Sequence, residues 1–324
     1  MKKIGIIGIG GRTGTMFYSE FKKIAQVFGI GKHFDIDLIK NKKIFVKKNG
    51  KEELIEGNLI DEIQFPAGID LDFLFLAVKN PVGPVVRFYY QKIKEKNLKI
   101  PTLFLSQNGI EANDEATSVL KEIFREKEIP VFRISLFNPV DKKILNNNSY
   151  ISYSLPIKMA VAKISGPIDE KEITDFFEKA GFEIFSIPRK EAKNMEYSKL
   201  FLNLIGMASA TRGLSVSQGF SKREGFLEEI GAIREYIKVV KVAGGKFLNF
   251  PGYPVKLLSS IFFLPIFLLF PFRKIFGKLI EKGREGKMKD LDEIDYYNGV
   301  VVKLGEKFKI QTPINKKILG RIKT

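Results

Sequence analysis

The feature that most constrains the fold is a glycine-rich turn near the amino terminus, within residues 4–17, IGIIGIGGRTGTMF. Gly8 and Gly10 form a G-x-G pair directly after a predicted strand, Lys2–Ile7, and a helix is predicted from Arg12 onward. In that context the first glycine permits a tight turn, and the second lets the backbone approach a pyrophosphate at the helix amino terminus. The stretch therefore predicts a phosphate cradle, and the alternative is a plain turn between a strand and a helix.

The third glycine of this loop departs from the usual spacing. A G-x-G-x-x-G pattern places its last glycine where this chain has Thr13, and Gly14 follows one residue late. Either the turn is wider here, or Thr13 is small enough for the helix to pack closely. Arg12 stands where it can reach a phosphate. The residues we assign to cofactor binding in this loop are Gly8, Gly10, Gly11, Arg12 and Thr13.

Strands and helices alternate over the first 190 residues. Leu71–Val78, LDFLFLAV, is a nearly continuous apolar run, which is typical of a central strand covered on both faces. The alternation predicts an α/β fold with a Rossmann-type, doubly wound, mostly parallel sheet. The other predicted strands are residues 35–39, 102–106, 130–135, 150–154, 159–165 and 183–187, with a hairpin at 44–56 that turns at Asn49-Gly50. The predicted helices are residues 12 to about 28, 81–96, 111–127 and 170–180.

The pattern changes near residue 190. From Arg189 onward almost every segment has helical periodicity, with helices predicted at 190–212, 221–245, 289–309 and 313–321. We therefore predict an α/β dinucleotide-binding domain over residues 1–190. An all-α domain for substrate binding and dimerisation is predicted to follow over residues 191–324.

Composition limits the chemistry that the chain can perform. There is no cysteine, which excludes disulfides and thiolate catalysis, and His33 is the only histidine, so a His/Cys metal site is not expected. The net charge of +17 indicates either an anionic partner or simply a lysine-rich surface. The lysines are scattered, and no nucleic-acid-binding motif is present, so we expect no nucleic acid partner.

The side chains that follow the second strand of such a fold select between NAD and NADP. Ile39 ends that strand in DLIKNKK, and Lys40, Lys42 and Lys43 follow with no carboxylate among them. An acidic residue there would bind the ribose 2′-hydroxyl of NAD, whereas cations suit the 2′-phosphate of NADP. We therefore predict NADP with Lys40 as a contact; the alternative is a solvated turn.

Several side chains could carry a reduction. Lys199 and Asn203 are four residues apart in an apolar helical stretch, so they share a helix face, although a lysine at the edge of a helix is the plainer interpretation. A buried lysine can serve as the proton donor to a ketone oxygen. Lys79 and Asn108 follow predicted strands, where ligands bind in open α/β sheets. Glu293 begins the penultimate predicted helix, where an acidic residue also suits the helix dipole.

Taken together, these segments resemble the ketopantoate reductase (2-dehydropantoate 2-reductase) family over nearly the full chain. The resemblance implies a Rossmann domain followed by an all-α domain, with the active site in the cleft between them. It rests on six stretches in the family's order: GIGGRTG at 8–14, AVK at 77–79, QNG at 107–109, SKLFLN at 198–203, DEIDYYNG at 292–299 and TPIN at 312–315.

The resemblance also implies roles for individual residues. Lys199 matches the lysine that protonates the ketone oxygen of a 2-keto acid as NADPH delivers hydride, and Glu293 matches the glutamate that works with it. Asn203 and Asn108 match substrate-binding residues. Lys79 and Asn108 also match residues at the nicotinamide end of the cleft.

Two departures from the family concern the substrate. A second family asparagine, four residues after the first, is Met207 here, and the stretch GREGKMKDLDEID at 283–295 lacks the family's substrate-binding serine. We therefore predict a reductase whose substrate can differ from ketopantoate. Another two-domain hydroxyacid or opine-type dehydrogenase stays open as an alternative.

One apolar segment stands apart from this scheme. Residues 257–272, LLSSIFFLPIFLLFPF, carry no charge and have basic flanks. The segment is predicted as a core or dimer-interface helix; the alternatives are an interfacial membrane anchor and, with it, a non-catalytic cofactor-binding protein at a membrane surface. The start of the chain shows no signal-peptide pattern, so we expect a cytoplasmic protein. We also expect a homodimer.

Overall fold

The computed structural model describes residues 1–322 except 33–35, 37–42, 147, 282–285 and 287. The described chain folds into two compact units. The first comprises Met1–Gln107 and Glu111–Ala192; the second comprises Lys193–Thr324 together with the short segment Asn108–Ile110.

An eight-stranded, mostly parallel sheet organises the first unit, which confirms the predicted fold class. Its strand order is β12-β11-β8-β7-β6-β1-β2-β5, and only the β8–β11 pair is antiparallel. The strands are β1 (Lys3–Ile7), β2 (Gln26–Gly31), β3 (Ile44–Lys48), β4 (Lys51–Leu54), β5 (Asn58–Asp61), β6 (Phe73–Leu76), β7 (Thr102–Leu105), β8 (Val131–Leu136), β9 (Asp141–Leu145), β10 (Asn148–Tyr153), β11 (Ile157–Ser165) and β12 (Phe182–Ile187).

The order of the strands reverses between β1 and β6. From β1 the sheet continues through β2 in one direction and through β6 and β7 in the other. In open α/β sheets, ligands bind outside the carboxyl ends of the strands at such a switch point. The glycine turn after β1 and Lys79 after β6 lie at this point of the sheet.

The first helix is shorter than predicted, and the second strand comes earlier. The helix α1 spans Arg12–Phe21, and the residues predicted to extend it to about Phe28 enter β2 instead. Apolar residues at helical spacing continue past Phe21, but pairing of Gln26–Gly31 with β1 overrides that local pattern. The strand predicted at 35–39 lies outside the described residues apart from Ile36, whose N–H donates a helical hydrogen bond to the carbonyl of Lys32.

A second, four-stranded sheet has the order β4-β3-β10-β9. The predicted hairpin is confirmed: β3 and β4 pair antiparallel, and Asn49 and Gly50 both adopt positive φ at the turn. The strand predicted at 150–154 is β10, which joins this small sheet through β3. Pairing between segments far apart along the chain forms this separate sheet.

Phenylalanine side chains fill one face of the main sheet. Phe75 and Phe104, on the adjacent strands β6 and β7, stack with ring centroids 4.4 Å apart. Phe17 and Phe21 of α1 and Phe177 of a later helix pack on the same cluster, all fully buried. The rigid core beneath α1 therefore fixes the helix that begins at the glycine turn.

Helices make up the rest of the chain. Those of the first unit are α1, α2 (Gly83–Glu95), α3 (Ala112–Ile123) and α4 (Glu170–Lys179). Those of the second unit are α5 (Ala192–Leu204), α6 (Met207–Ala210), α7 (Val216–Ser221), α8 (Arg223–Val242), α9 (Val255–Phe263), α10 (Ile266–Leu269), α11 (Arg273–Glu281), α12 (Asn298–Lys307) and α13 (Pro313–Gly320).

The helix predicted at 190–212 is broken. Gly206 has φ +94°, in the left-handed region, so α5 ends before it and α6 begins after it. Met207 therefore does not continue the helix face of Lys199 and Asn203, as the four-residue spacing suggested. It is fully buried in the second unit.

Candidate active site

The glycine turn brings the start of α1 against the end of β1. Gly8 has φ +89°, and a Cβ there would lie 2.7 Å from the carbonyl oxygen of Ala77. A Cβ on Gly14 would lie only 2.2 Å from the carbonyl oxygen of Gly8. Gly14, and not Thr13, is therefore the position at which the helix needs a glycine for close packing.

The turn is held by hydrogen bonds that leave its helix end open to an anion. The N–H of Gly8 donates to Ile30 (3.0 Å), and the Thr15 hydroxyl donates to the carbonyls of Ile9 (2.8 Å) and Gly11 (2.9 Å). Gly11 caps α1 without a side chain, and the first helical turn has no acidic residue. The first N–H groups of a helix have no intrahelical acceptor, so this end suits a pyrophosphate.

Cations border this cradle. Arg12 and Lys79 are exposed, Thr13 is half-buried, and the ammonium of Lys142 donates to the carbonyl of Gly10 (3.0 Å). Lys142 belongs to β9, which no local pattern indicated. The small sheet thus adds a positive charge beside a loop that would bind phosphate.

The cations assigned to cofactor choice do not follow the second strand. Because β2 ends at Gly31, the first side chain after it is Lys32, which is exposed. Lys40 and Lys42, like His33, lie outside the described residues. Lys43 leads directly into β3 of the small sheet. The argument from Lys40 therefore depended on a strand position that was wrong.

Polar side chains from three distant segments meet in the second unit. The amide of Asn108 donates to the Glu293 carboxylate (3.0 Å) and accepts from the amide of Asn203 (3.1 Å). The Tyr297 hydroxyl donates to the same carboxylate oxygen of Glu293 (3.1 Å). The structure thus brings together three of the predicted site residues, Asn108, Asn203 and Glu293, although 185 positions separate the first from the last.

Lys199 lies one turn before Asn203 on α5 and is half-buried. This position gives an ammonium and an amide on one helix face, with the Glu293 carboxylate linked to that amide through Asn108. Glu293 precedes a short 3-10 turn, Ile294–Tyr296, and not the long helix that was predicted to begin near it.

Two residues of this region were missed by sequence reasoning. The ammonium of Lys289, from the stretch that lacks the family's serine, donates to the backbone carbonyl of Asn203. Glu229 is buried and accepts from the N–H groups of Gly206 (3.0 Å) and Ser209 (2.7 Å) at the break after α5. Burial raises the pKa of Glu229 despite these bonds. The only available signal for Glu229 was its place in the helix α8, since its hydrogen-bond partners are set by the fold.

The TPIN stretch serves the scaffold. Glu235 accepts from the backbone N–H groups of Ile314 (2.8 Å) and Asn315 (3.0 Å) at the start of α13. The amide of Asn298 donates to that of Asn315 (2.8 Å), and both side chains are buried. These contacts hold α12, and with it the segment that carries Glu293 and Tyr297.

Within the described part of the chain, no group of three or more His, Cys, Asp or Glu side chains could hold a metal ion. The chemistry available to the cluster is that of one ammonium, one carboxylate, two amides and a phenol. Such a set can hold an anionic substrate and pass a proton.

No family model matches the chain, and no curated protein matches it. Solved structures match over nearly its whole length. A ketopantoate reductase from Ralstonia eutropha JMP134 has a TM-score of 0.70 at 16% identity, covering 98% of this chain and 96% of that one. D-mandelate dehydrogenase with NADH and anilino(oxo)acetate has a TM-score of 0.69 at 14% identity, covering 99% and 97%.

A ketopantoate reductase from Staphylococcus aureus, described as dimeric, has a TM-score of 0.63 at 15% identity, covering 98% and 95%. At these identities the likeness establishes the fold. It confirms, at that level, the resemblance drawn from the sequence.

Proposed function

We propose that the protein is an NADPH-dependent reductase of a 2-keto acid, with Lys199 as the general acid and ketopantoate as the first substrate to test. The observation that supports this most is the Asn108–Asn203–Glu293 cluster with Lys199 one helical turn away. Two amides at hydrogen-bonding distance of each other, with an ammonium one helical turn away, suit a substrate with a carboxylate and a carbonyl.

The glycine turn would hold the cofactor. The pyrophosphate would be received by Gly8, Gly10, Gly11, Arg12 and Thr13, because the N-cap residue of α1, Gly11, has no side chain to cap the first N–H groups of the helix. The bound nicotinamide supplies the hydride. Lys32, the first residue after β2, would be the cation to meet a 2′-phosphate, so NADP stays the proposed cofactor.

In the proposed reaction, Lys199 donates a proton from Nζ to the carbonyl oxygen as negative charge develops there. Asn203 binds the substrate from the same helix face. Glu293 is held by Asn108 and Tyr297, so its carboxylate has a fixed position beside the amides that would bind the substrate. Lys79, at the carboxyl end of β6, would attract the anionic substrate and cofactor.

Substrate identity is a separate point. The stretch without the family's serine contains Lys289, which contacts the backbone of Asn203. Where the family has a serine hydroxyl, this chain has an ammonium, which would bind a carboxylate of the substrate in preference to a substrate hydroxyl. The similarity in fold to D-mandelate dehydrogenase supports a second candidate function, that of a hydroxyacid dehydrogenase with an aryl 2-keto acid as its substrate.

The test is oxidation of NADPH and of NADH, followed by absorbance, with ketopantoate, a 2-keto dicarboxylate and an aryl 2-keto acid. Lys199→Ala should lower turnover of the accepted substrate by roughly two to four orders of magnitude, the usual range for general-acid catalysis. NADPH affinity, measured by fluorescence titration, should change little. Equal turnover in the variant would exclude Lys199 as the acid.

A further inference from the structure

The segment from α9 to α11 presents an exposed apolar face. Of the 19 large hydrophobic side chains that are exposed among the described residues, eight lie on this segment, including Phe267 (70% exposed) and Leu279 (64% exposed). We call this set the apolar face: Leu257, Phe263, Leu264, Phe267, Leu268, Phe272, Ile275 and Leu279.

The opposite side of the same segment is anchored in the second unit. Val255, Phe262 and Leu269 are buried, and the ring centroids of Phe262 and Phe276 lie 6.0 Å apart. A Cβ on Gly277 would lie 2.9 Å from the Cβ of Phe220, so α11 packs closely on α7. The apolar face is therefore the outer side of a packed structure and is not a loose tail.

The corner between α9 and α10 is fixed as well. The guanidinium of Arg234, on α8, donates to the carbonyls of Phe262 (2.9 Å) and Leu264, which end α9. The ammonium of Lys241 lies 4.2 Å from the centre of the Phe263 ring. Two cations of α8 thus border the apolar face where the chain turns.

The helices of the face are mainly basic, and α11 ends in one acidic residue, Glu281. From Tyr236 to Ile280 the sequence has seven Lys and Arg and no Asp or Glu. Lys256, Lys274 and Lys278 are exposed on the same helices as the apolar residues. A second copy of this face would bring cations against cations, whereas an anionic surface complements them.

Among the described residues, no single helix is long and apolar enough to cross a bilayer. The pair Val255–Phe263 and Ile266–Glu281 meets the length and composition criteria only together, with a bend of 116° between its helices. Helices that carry apolar side chains on one side and lysines beside them are typical of segments that lie in the plane of the membrane interface.

We propose that the apolar face docks in the interfacial plane of a bilayer that contains anionic phospholipid. The phenylalanine and leucine side chains enter the boundary between headgroups and acyl chains, and the flanking lysines contact the phosphates. This property is independent of the reductase activity proposed above, since it uses none of the residues of that site.

The first test is co-sedimentation of the full-length protein with vesicles of phosphatidylcholine alone or with phosphatidylglycerol added. We expect the protein to bind the anionic vesicles only. Salt at 0.5 M should weaken this binding roughly several-fold, because it shortens the Debye length and so screens the contacts between lysines and phosphates. A triple variant, Phe267→Ser, Leu268→Ser and Phe272→Ser, should reduce partitioning by roughly tenfold or more.

The matched control is Ile144→Ser with Leu145→Ser, two side chains of similar exposure on β9 of the first unit. It should bind like the unmodified protein. Because all substituted side chains are exposed, the circular dichroism spectrum and the melting temperature should be preserved in both variants. Equal vesicle binding by the triple variant, or binding that ignores phosphatidylglycerol, would overturn the proposal.

A second test uses the absence of tryptophan from the chain. Phe267→Trp places a single, selectively excited tryptophan on the apolar face, and Ile144→Trp places one away from it. Anionic vesicles should shift the emission of the first to shorter wavelength and not that of the second. Absence of a shift at position 267, together with a dimer that the triple variant dissociates in light scattering, would show that the face is a self-interface instead.

Discussion

Replacing Gly14 by alanine tests the close contact on which the cofactor cradle depends. The new Cβ would lie 2.2 Å from the carbonyl oxygen of Gly8 and 2.8 Å from its carbonyl carbon. Ordinary contact begins near 3.4 Å, so α1 must move away from the turn by about 1.2 Å. Both partners are backbone, so no flexible side chain can relieve the overlap.

The cost follows from this displacement. Overpacking of a rigid site costs about 1–3 kcal/mol, offset in part by the helix propensity of alanine, which is better than that of glycine by up to about 1 kcal/mol. We expect a net loss of about 1–2 kcal/mol in the free energy of unfolding. For a unit of this size that lowers the melting temperature by roughly 2–8 °C. Because the first N–H groups of α1 shift with the helix, NADPH affinity should fall by at least about tenfold.

The assays are thermal denaturation by circular dichroism and NADPH titration by fluorescence. Gly83→Ala is the control, since it is also a buried helical glycine of the first unit, but its Cβ would meet only side-chain atoms of Glu115 and Val119, at 3.5 Å or more. It should stay within about 0.5 kcal/mol of the unmodified protein. If Gly14→Ala melts at the same temperature as Gly83→Ala, the close packing of α1 on the Gly8 turn is refuted.

Two further predictions concern the second unit. Lys289→Met should raise the KM for the keto acid by roughly tenfold while kcat changes less, if its ammonium binds a substrate carboxylate; equal effects on kcat and KM, or none, would remove Lys289 from substrate binding. Burial alone would raise the pKa of Glu228, but hydrogen bonds from Arg321 and Arg212 lower it to about 2. Its folded pKa therefore lies below the unfolded value, so this stabilisation is complete above about pH 4.5 and is lost as the pH falls toward 2. The free energy of unfolding should fall by on the order of 2–3 kcal/mol between pH 4.5 and pH 2, and Arg321→Met should reduce that fall. The same pH dependence in the variant would contradict the assignment to Glu228.

The amino acid sequence by itself determined the local elements. The glycine turn between a strand and a helix, the central apolar strand and the Asn49-Gly50 hairpin all depend on neighbours along the chain, so periodicity and turn chemistry were enough. The four-residue spacing of Lys199 and Asn203 likewise placed both on one helix, α5. From these elements the α/β class of the first unit followed directly.

Only the tertiary structure decided which segments become neighbours. Gln26–Gly31 has an apolar pattern compatible with a helix, and pairing with β1 makes it a strand. That pairing moved the second strand away from Lys40. The glycine spacing left two interpretations open, a wider turn or close packing at Thr13. The backbone contact between Gly14 and Gly8 shows that Gly14 is the closely packed position.

The candidate site shows the same division. Asn108, Asn203 and Glu293 were each identifiable from a local pattern, but the bonds that join them cross up to 185 positions of the chain. Lys289 and Lys142 had no local signal, because a lysine in a polar stretch becomes informative only through the carbonyl that it meets. Hydrogen bonds between distant segments depend on the packing of the whole unit, and that packing is not written in any single stretch of sequence.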